Sequence, residues 1–279
     1  MTGFRAVAAS VWMGWQRELG WGNPVLVILL RTATPVASVL TAAMVYWFGS
    51  SQVGLFDPAR LAFVVVGASL YSQISTYSIV PTLAISEGKT TNLFPNVYIS
   101  PSSALPYLAG RFLASFIDSL PVVAISLVVS FYASIWLFGY QIPIVASVES
   151  VTMLMVAMVG VIPAALGLGY FLGSYAIFVT KFEWALPSYI GGMLMIFSEA
   201  LFPSSVLPFP LSTISEGLPF TYFMRASRAA LLEGSLANYS LQLGLTAASG
   251  FVLLIFGVFF FRWAEKRGRM KGYIDRKTM

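Results

Sequence analysis

The chain contains no cysteine and no histidine, and only 10% of its 279 residues are charged. The first two absences remove disulfides, thiol nucleophiles, Cys or His zinc sites, haem ligation by His and imidazole acid–base catalysis. Carboxylates, hydroxyls, Lys and Arg are left for any bond chemistry. The scarcity of charge excludes more. An ordinary soluble domain is about 25% charged, whereas this chain is 58% hydrophobic with a mean hydropathy of +0.81. A soluble fold of this size has too little interior to hide that much apolar surface, so the sequence reads as an integral membrane protein. One transmembrane helix takes about 20 residues, and six would take about 120, which fits with room for connections.

Residues 1–22 lack the continuous apolar core of a secretory signal. Phe4, Val7, Ala8, Val11, Trp12, Trp15 and Leu19 recur at helical spacing, while Arg5, Ser10, Arg17 and Glu18 largely avoid that stripe. This pattern predicts an amphipathic helix lying in the headgroup plane, separated from the first span by Gly20, Gly22 and Pro24. Six apolar stretches follow, at about 25–48, 61–85, 108–139, 150–180, 187–203 and 241–262. Lys and Arg set the expected orientation. With both termini in the cytoplasm, Arg5, Arg17, Arg31, Lys89, Arg111, Lys181 and the seven basic residues from Arg262 to Lys277 lie inside, against Arg60, Arg225 and Arg228 outside. The net charge of +5 is thereby read as positive-inside bias and not as a nucleic-acid footprint.

Two connections are unusually long, 86–107 on the expected inner side and 204–240 on the outer side. Gly88-Lys89-Thr90 in the first mimics the end of a phosphate-binding loop. Such a loop needs a glycine five residues before Gly88, where Leu83 stands, and a preceding strand in place of a membrane span. Nucleotide binding by this chain is therefore not expected. Taken in order, Glu87-Gly88-Lys89-Thr90, Ser100-Pro101-Ser102 and Gly110-Arg111 resemble the permease subunits of ABC-2 type (type V exporter) ABC transporters. Further on, Phe202-Pro203, Leu207-Pro208, Pro219, Arg225 and Leu232-Glu233-Gly234 follow the same family order. One departure is that Thr90 is followed by Thr91 and Asn92, where many members carry an acidic residue.

The resemblance implies an assembly of two permease subunits, expected to be identical, with two copies of a separately encoded ABC ATPase that holds ATP and Mg. It also implies no catalytic, cofactor or metal site in this chain, and a place in the cell membrane. In that family the first long connection is a coupling helix that docks on the ATPase, and the external one forms re-entrant helices over the exit. The residues agree with such uses. Leu93, Phe94, Val97, Tyr98 and Ile99 make an apolar patch around helix breaker Pro95 and ahead of Pro101, with Glu87 and Gly88 before it. A loop packed on its own helices or on lipid is the plainer alternative. The outer segment, broken by Pro203, Pro208, Pro210 and Pro219, is too apolar for a free loop and too interrupted for a span. Phe202, Leu207, Phe209, Leu218, Phe220, Tyr222 and Phe223 fit either an apolar lid or an interfacial aromatic belt.

Charges inside spans are few. Arg31 and Asp118 lie about two turns from the same face and are expected to pair as a structural clamp. Glu199, on the outward half of the fifth stretch, fits a gate or a clamp equally. Gly169 and Gly173 form a small-residue packing motif, within the subunit or between subunits. The expectation is an all-α, six-span membrane domain with an interfacial helix (1–22), a coupling loop (86–107), re-entrant helices (204–240) and a basic tail (263–279) that also attracts anionic lipid. It is expected to move an amphiphilic substrate, drug-like or lipid-like. A polysaccharide or lipid-linked glycan is the alternative cargo. An ion-coupled carrier or channel is the rival of another class, and it should show more intramembrane charge than this chain has.

Overall fold

In the computed structural model, residues 2–20, 22–91, 97, 103–139, 143–145, 147–179, 181–182 and 185–272 are described. All regular elements among them are helical. Helix α1 spans Thr2–Leu19 and α2 spans Pro24–Val53. The start of α2 is set by Asn23, whose side chain accepts from the Val25 amide at 3.0 Å, with Pro24 at the first helical position. Its end is set by Gly54, which adopts the left-handed φ of 68° that closes a helix cheaply only for glycine. Asp57 and Pro58 repeat the starting device for α3, Pro58–Thr90. Helix α4 covers Ala104–Phe138 and stops at Gly139, again left-handed. Val148–Gly160 (α5) and Ile162–Phe178 (α6) follow, offset at Val161 just before Pro163. Beyond them lie α7 (Ala185–Phe197), a single 3₁₀ turn (Ser204–Val206), α8 (Leu211–Gly217), α9 (Pro219–Arg228) with a π turn at Ala229–Glu233, and α10 (Leu236–Met270).

Five of these segments are long and apolar enough to cross a membrane: α2, α3, α4, the α5–α6 pair as Val148–Phe178, and α10. The chain is thus a multi-pass helical membrane protein. The stretch expected as span five, 187–203, takes a different form. Its helix α7 has 13 residues, about 20 Å at 1.5 Å per residue, against roughly 30 Å of hydrocarbon. Phe197 ends it, and the chain turns through Glu199, whose φ is 59°. Among the described residues, five segments have the length and apolarity of spans, and the sixth expected stretch holds a shorter apolar helix.

Helix α3 is the axis of the bundle. Its apolar window is 61% buried, against 11% for α2 and 17% for α10. Tyr77 on α3 packs on Phe112 and Phe116 of α4, with ring centres 5.1 and 6.1 Å apart. That cluster continues through Leu154, Leu168, Phe220, Phe223 and Met224. Lipid tails are as apolar as leucine, so helices in a bilayer associate through close packing and satisfied polar groups more than by escaping water. Glycines supply the closest approach. A Cβ on Gly257 of α10 would stand 2.1 Å from the Gly167 carbonyl oxygen of α6. Gly169 and Gly173, on another face of α6, meet Pro81 and Ile85 of α3, so the expected packing motif faces the subunit's own interior.

Helix α1 lies along α4. Gly14 meets Ala114, and Gly110 meets Ser10. The predicted apolar stripe divides as a result. Val7 and Val11 are half-buried on the side of the helix that carries Ser10, whereas Phe4, Trp12 and Trp15 are exposed, available to a headgroup layer.

Gly257→Leu should force α6 and α10 apart and lower stability by about 1–3 kcal/mol. Thermal unfolding in nanodiscs is the measurement, with Gly244→Ala as the comparison, because a Cβ there meets nothing within 4 Å. Equal melting temperatures for the two variants would show that the glycine contact does not set the packing.

Candidate functional site

Three polar centres interrupt the apolar body, one near each end of α3 and one in between. The first surrounds Glu87 and Lys89. Glu87 pairs with Arg17 of α1 at 2.9 Å and with Arg111 of α4 at 3.2 Å. Lys89, 2% exposed, points the other way and donates through Nζ to the carbonyls of Ala176 at 2.7 Å and Ile177 at 2.9 Å. These are terminal carbonyls of α6, which carry the negative end of the helix dipole and lack intrahelical partners. The Gly88-Lys89-Thr90 sequence is therefore the last turn of a helix, its lysine committed to backbone oxygens. Of the residues predicted to dock a partner, Glu87 and buried Gly88 belong to this centre. Val97 is half-buried against the cluster that holds Ala84, Ile85 and Ala104. Leu93, Phe94, Tyr98 and Pro101 lie outside the described residues.

The second centre is the Arg31–Asp118 ion pair, which links α2 to α4. The Asp118 side chain is 6% exposed and that of Arg31 is 36% exposed. Beside them Gln73 of α3 donates to the Ser119 carbonyl at 3.0 Å and accepts from the Ser119 hydroxyl at 2.8 Å and from Tyr77. A cleft of about 500 Å³ opens here between α2, α3 and α4, lined by the ion pair together with Ser72, Thr76 and Ser119.

The third centre is held by the broken segment. Glu199, in its left-handed turn, accepts from Arg225 at 2.7 and 3.1 Å and from the Ser204 amide at 2.9 Å. Arg225 also donates to the Ser204 hydroxyl at 3.0 Å. Arg228, one helical turn on, is 4% exposed. It donates to the carbonyls of Glu199, Ala200 and Phe63. Its remaining nitrogens, Nε and Nη1, have no hydrogen-bond partner among the described residues; the guanidinium instead lies 3.4 Å from the Phe63 ring centre, where the ring face substitutes for water. Gly67 makes the approach possible, since a Cβ there would stand 1.9 Å from the Ala200 carbonyl.

The expected lid residues are not gathered on one surface. Phe220 and Phe223 are core side chains, Phe209 is 85% exposed, Phe202 and Leu207 are half-buried and Pro203 is exposed. Tyr222 ties α9 to α8 by donating to the Glu216 carbonyl at 2.6 Å. The sequence reading missed Arg225 and Arg228 as partners of the 199–204 turn and Lys89 as a helix cap. Two arginines three apart, just after Phe220 and Phe223, were the available signal, but what they face depends on an element 26 residues away.

The architecture defines the class: an all-helical, multi-pass membrane protein with buried ion pairs and a polar cleft within its helices. Compared with known proteins, the chain matches no protein-family model and no curated protein sequence.

Glu199→Gln should destabilise the protein by about 2 kcal/mol, below the 3–5 of a fully buried pair, because Arg225 remains about a third exposed. A double-mutant cycle with Arg225→Met, read by denaturant unfolding, checks this. Lys89→Met should speed amide exchange in the last turn of α6; unchanged protection there would remove the capping role.

Proposed function

We propose that the chain is the permease subunit of an ATP-driven exporter of the ABC-2 kind, with ATP hydrolysed by a separate subunit. The loop between α3 and α4 then receives the motor, and both termini lie on its side of the membrane. The observation that carries this reading is the anchoring of α3 at its last turn. Glu87 ties it to α1 and α4, and Lys89 ties it to α6, so a force applied to the loop after Thr91 reaches four helices. Three of the elements lining the polar cleft are α2, α3 and α4, and two of those carry or adjoin that loop. The resemblance in motif order supports the same reading. So does the broken segment 198–234, whose turn at Ser198–Ala200 is buried against α3, as interrupted backbone in membranes must be.

The mechanism follows from rigid-body coupling. ATP-driven closure of the motor pair moves the loop. The Glu87 and Lys89 contacts transmit the movement as a tilt of α3 against α2 and α7, and the cleft changes access beneath the 198–234 segment. The cargo is an amphiphile of drug-like or lipid-like build.

Phe94→Asp or Tyr98→Asp, which place charge in the apolar loop, should abolish co-purification with the ATPase while leaving the chain inserted in the membrane. Co-purification and transport at wild-type levels would overturn the docking assignment. ATP-independent uptake into liposomes by the chain alone, driven by an ion gradient, would replace this reading with the secondary-carrier one.

A further inference from the structure

The polar cleft does not end at the ion pair. A second cavity, of about 880 Å³, runs along the other part of α2 between α3 and α7, and the two share Thr34 and Ser38. Arg31 marks one end of the combined groove and Tyr46 the other, about 22 Å apart at the helical rise. The halves differ in chemistry. The first is lined by the ion pair and by hydroxyl and amide side chains of α3 and α4, the second by Ala37, Val45, Val64, Met195 and Leu201. Each volume lies within the size range of small-molecule sites.

Hydrogen-bond accounting specifies the head group. Ser72 donates its proton to the Ser69 carbonyl at 2.8 Å and Thr76 to the Ser72 carbonyl at 2.9 Å, and the single proton of Ser119 is shared between the Phe116 carbonyl at 2.7 Å and Gln73 at 2.8 Å. A hydroxyl whose proton is engaged offers only lone pairs to a ligand. The wall thus offers lone pairs at these three hydroxyls, while Thr34, Ser38 and Ser115 add further hydroxyls, and it suits a head that both donates and accepts. It does not call for a cation. Asp118, the carboxylate among the described lining residues, is already paired with Arg31 and is the more buried of the two, so the site is neutral overall and its more accessible charge is positive. A permanently cationic head would leave water for a neutral, low-dielectric cleft facing a guanidinium, without compensation.

We propose that this groove is a binding site for a neutral, polyhydroxyl-headed amphiphile, of alkyl-glycoside or glycolipid chemistry. The sugar-like head donates to Ser72, Thr76 and Ser119 beside the Arg31–Asp118 pair, and the hydrocarbon tail lies along α2 between Val64 and Met195. This names the cargo class of the permease reading and rests on it for what binding accomplishes.

The test uses the full chain alone in phosphatidylcholine nanodiscs, with radiolabelled decyl maltoside as probe. Saturable binding is expected, displaced by unlabelled decyl maltoside at least tenfold more effectively than by decyltrimethylammonium. Ser72→Ala with Thr76→Val should weaken it roughly tenfold, the equivalent of one or two neutral hydrogen bonds. Ser38→Trp, at an exposed position where the halves meet, should abolish binding without changing elution volume or melting temperature. Equal or stronger displacement by the cationic amphiphile overturns the head-group assignment, and so does the absence of saturable binding. Wild-type affinity in Ser38→Trp overturns the location. No ATPase is present, so failure of motor docking in the experiment above leaves these outcomes intact and bears on the energy source alone.

Discussion

A polar group that enters an apolar helical bundle in a bilayer must find its partner within the protein, because the surrounding hydrocarbon offers none. That requirement organises this molecule around α3. Lys89 closes on the carbonyl end of α6, Glu87 holds arginines from α1 and α4, Gln73 is locked to Ser119 and Tyr77, and Gly67 admits the Ala200 carbonyl that Arg228 grips. Each contact fixes the rotation of α3 about its axis at a different height. Removing the polar partners would leave an apolar rod whose faces are energetically similar to lipid.

The same constraint explains the irregular backbone between α7 and α10. A chain that turns at Glu199, passes through a 3₁₀ turn and a π turn, and contains several prolines leaves many amides and carbonyls outside regular ladders. Several of them are satisfied locally. The Ser204 amide binds Glu199, the carbonyls of Glu199 and Ala200 bind Arg228, and the Phe197 carbonyl accepts from Ser215 and Thr221. Arg228 is an expensive residue to bury, and its cost is offset by three carbonyls and the Phe63 ring. The result is a compact clamp at one end of α3, opposite the Glu87–Lys89 centre. The polar cleft lies between these anchored ends, where α2 contributes its more accessible residues.

Much of the architecture was legible residue by residue. Asn23-Pro24, Asp57-Pro58, Gly54 and Gly139 mark helix limits by local chemistry alone, and long apolar runs mark the spans. The shape of 187–203 was less legible, because composition counts apolar residues without registering that the helix ends before Ser198 and Glu199; the αL turn there is held by Arg225, from 26 residues further on. The site was less legible. Glu87 read as a docking residue, and the structure gives it two arginine partners. Lys89 counted as one of the inner-face cations, and the structure buries it on α6. Both facts depend on how α3 and α6 are rotated, and apolar helices without a marked amphipathic stripe carry little local record of rotation.

The sequence by itself determined that this is an all-helical membrane protein, that thiol and imidazole chemistry are absent from it, and where most helices begin and end. These properties follow from residue type and from interactions within four or five positions. Only the tertiary structure decided which face of each helix meets protein, which charges become partners, and that hydroxyls from α3 and α4 line one cleft continuous with an apolar groove along α2. Those outcomes are set by helix rotation and register across 26 to 88 residues of separation, where close glycine contacts and satisfied polar groups choose among packings that hydrophobicity alone leaves nearly equal.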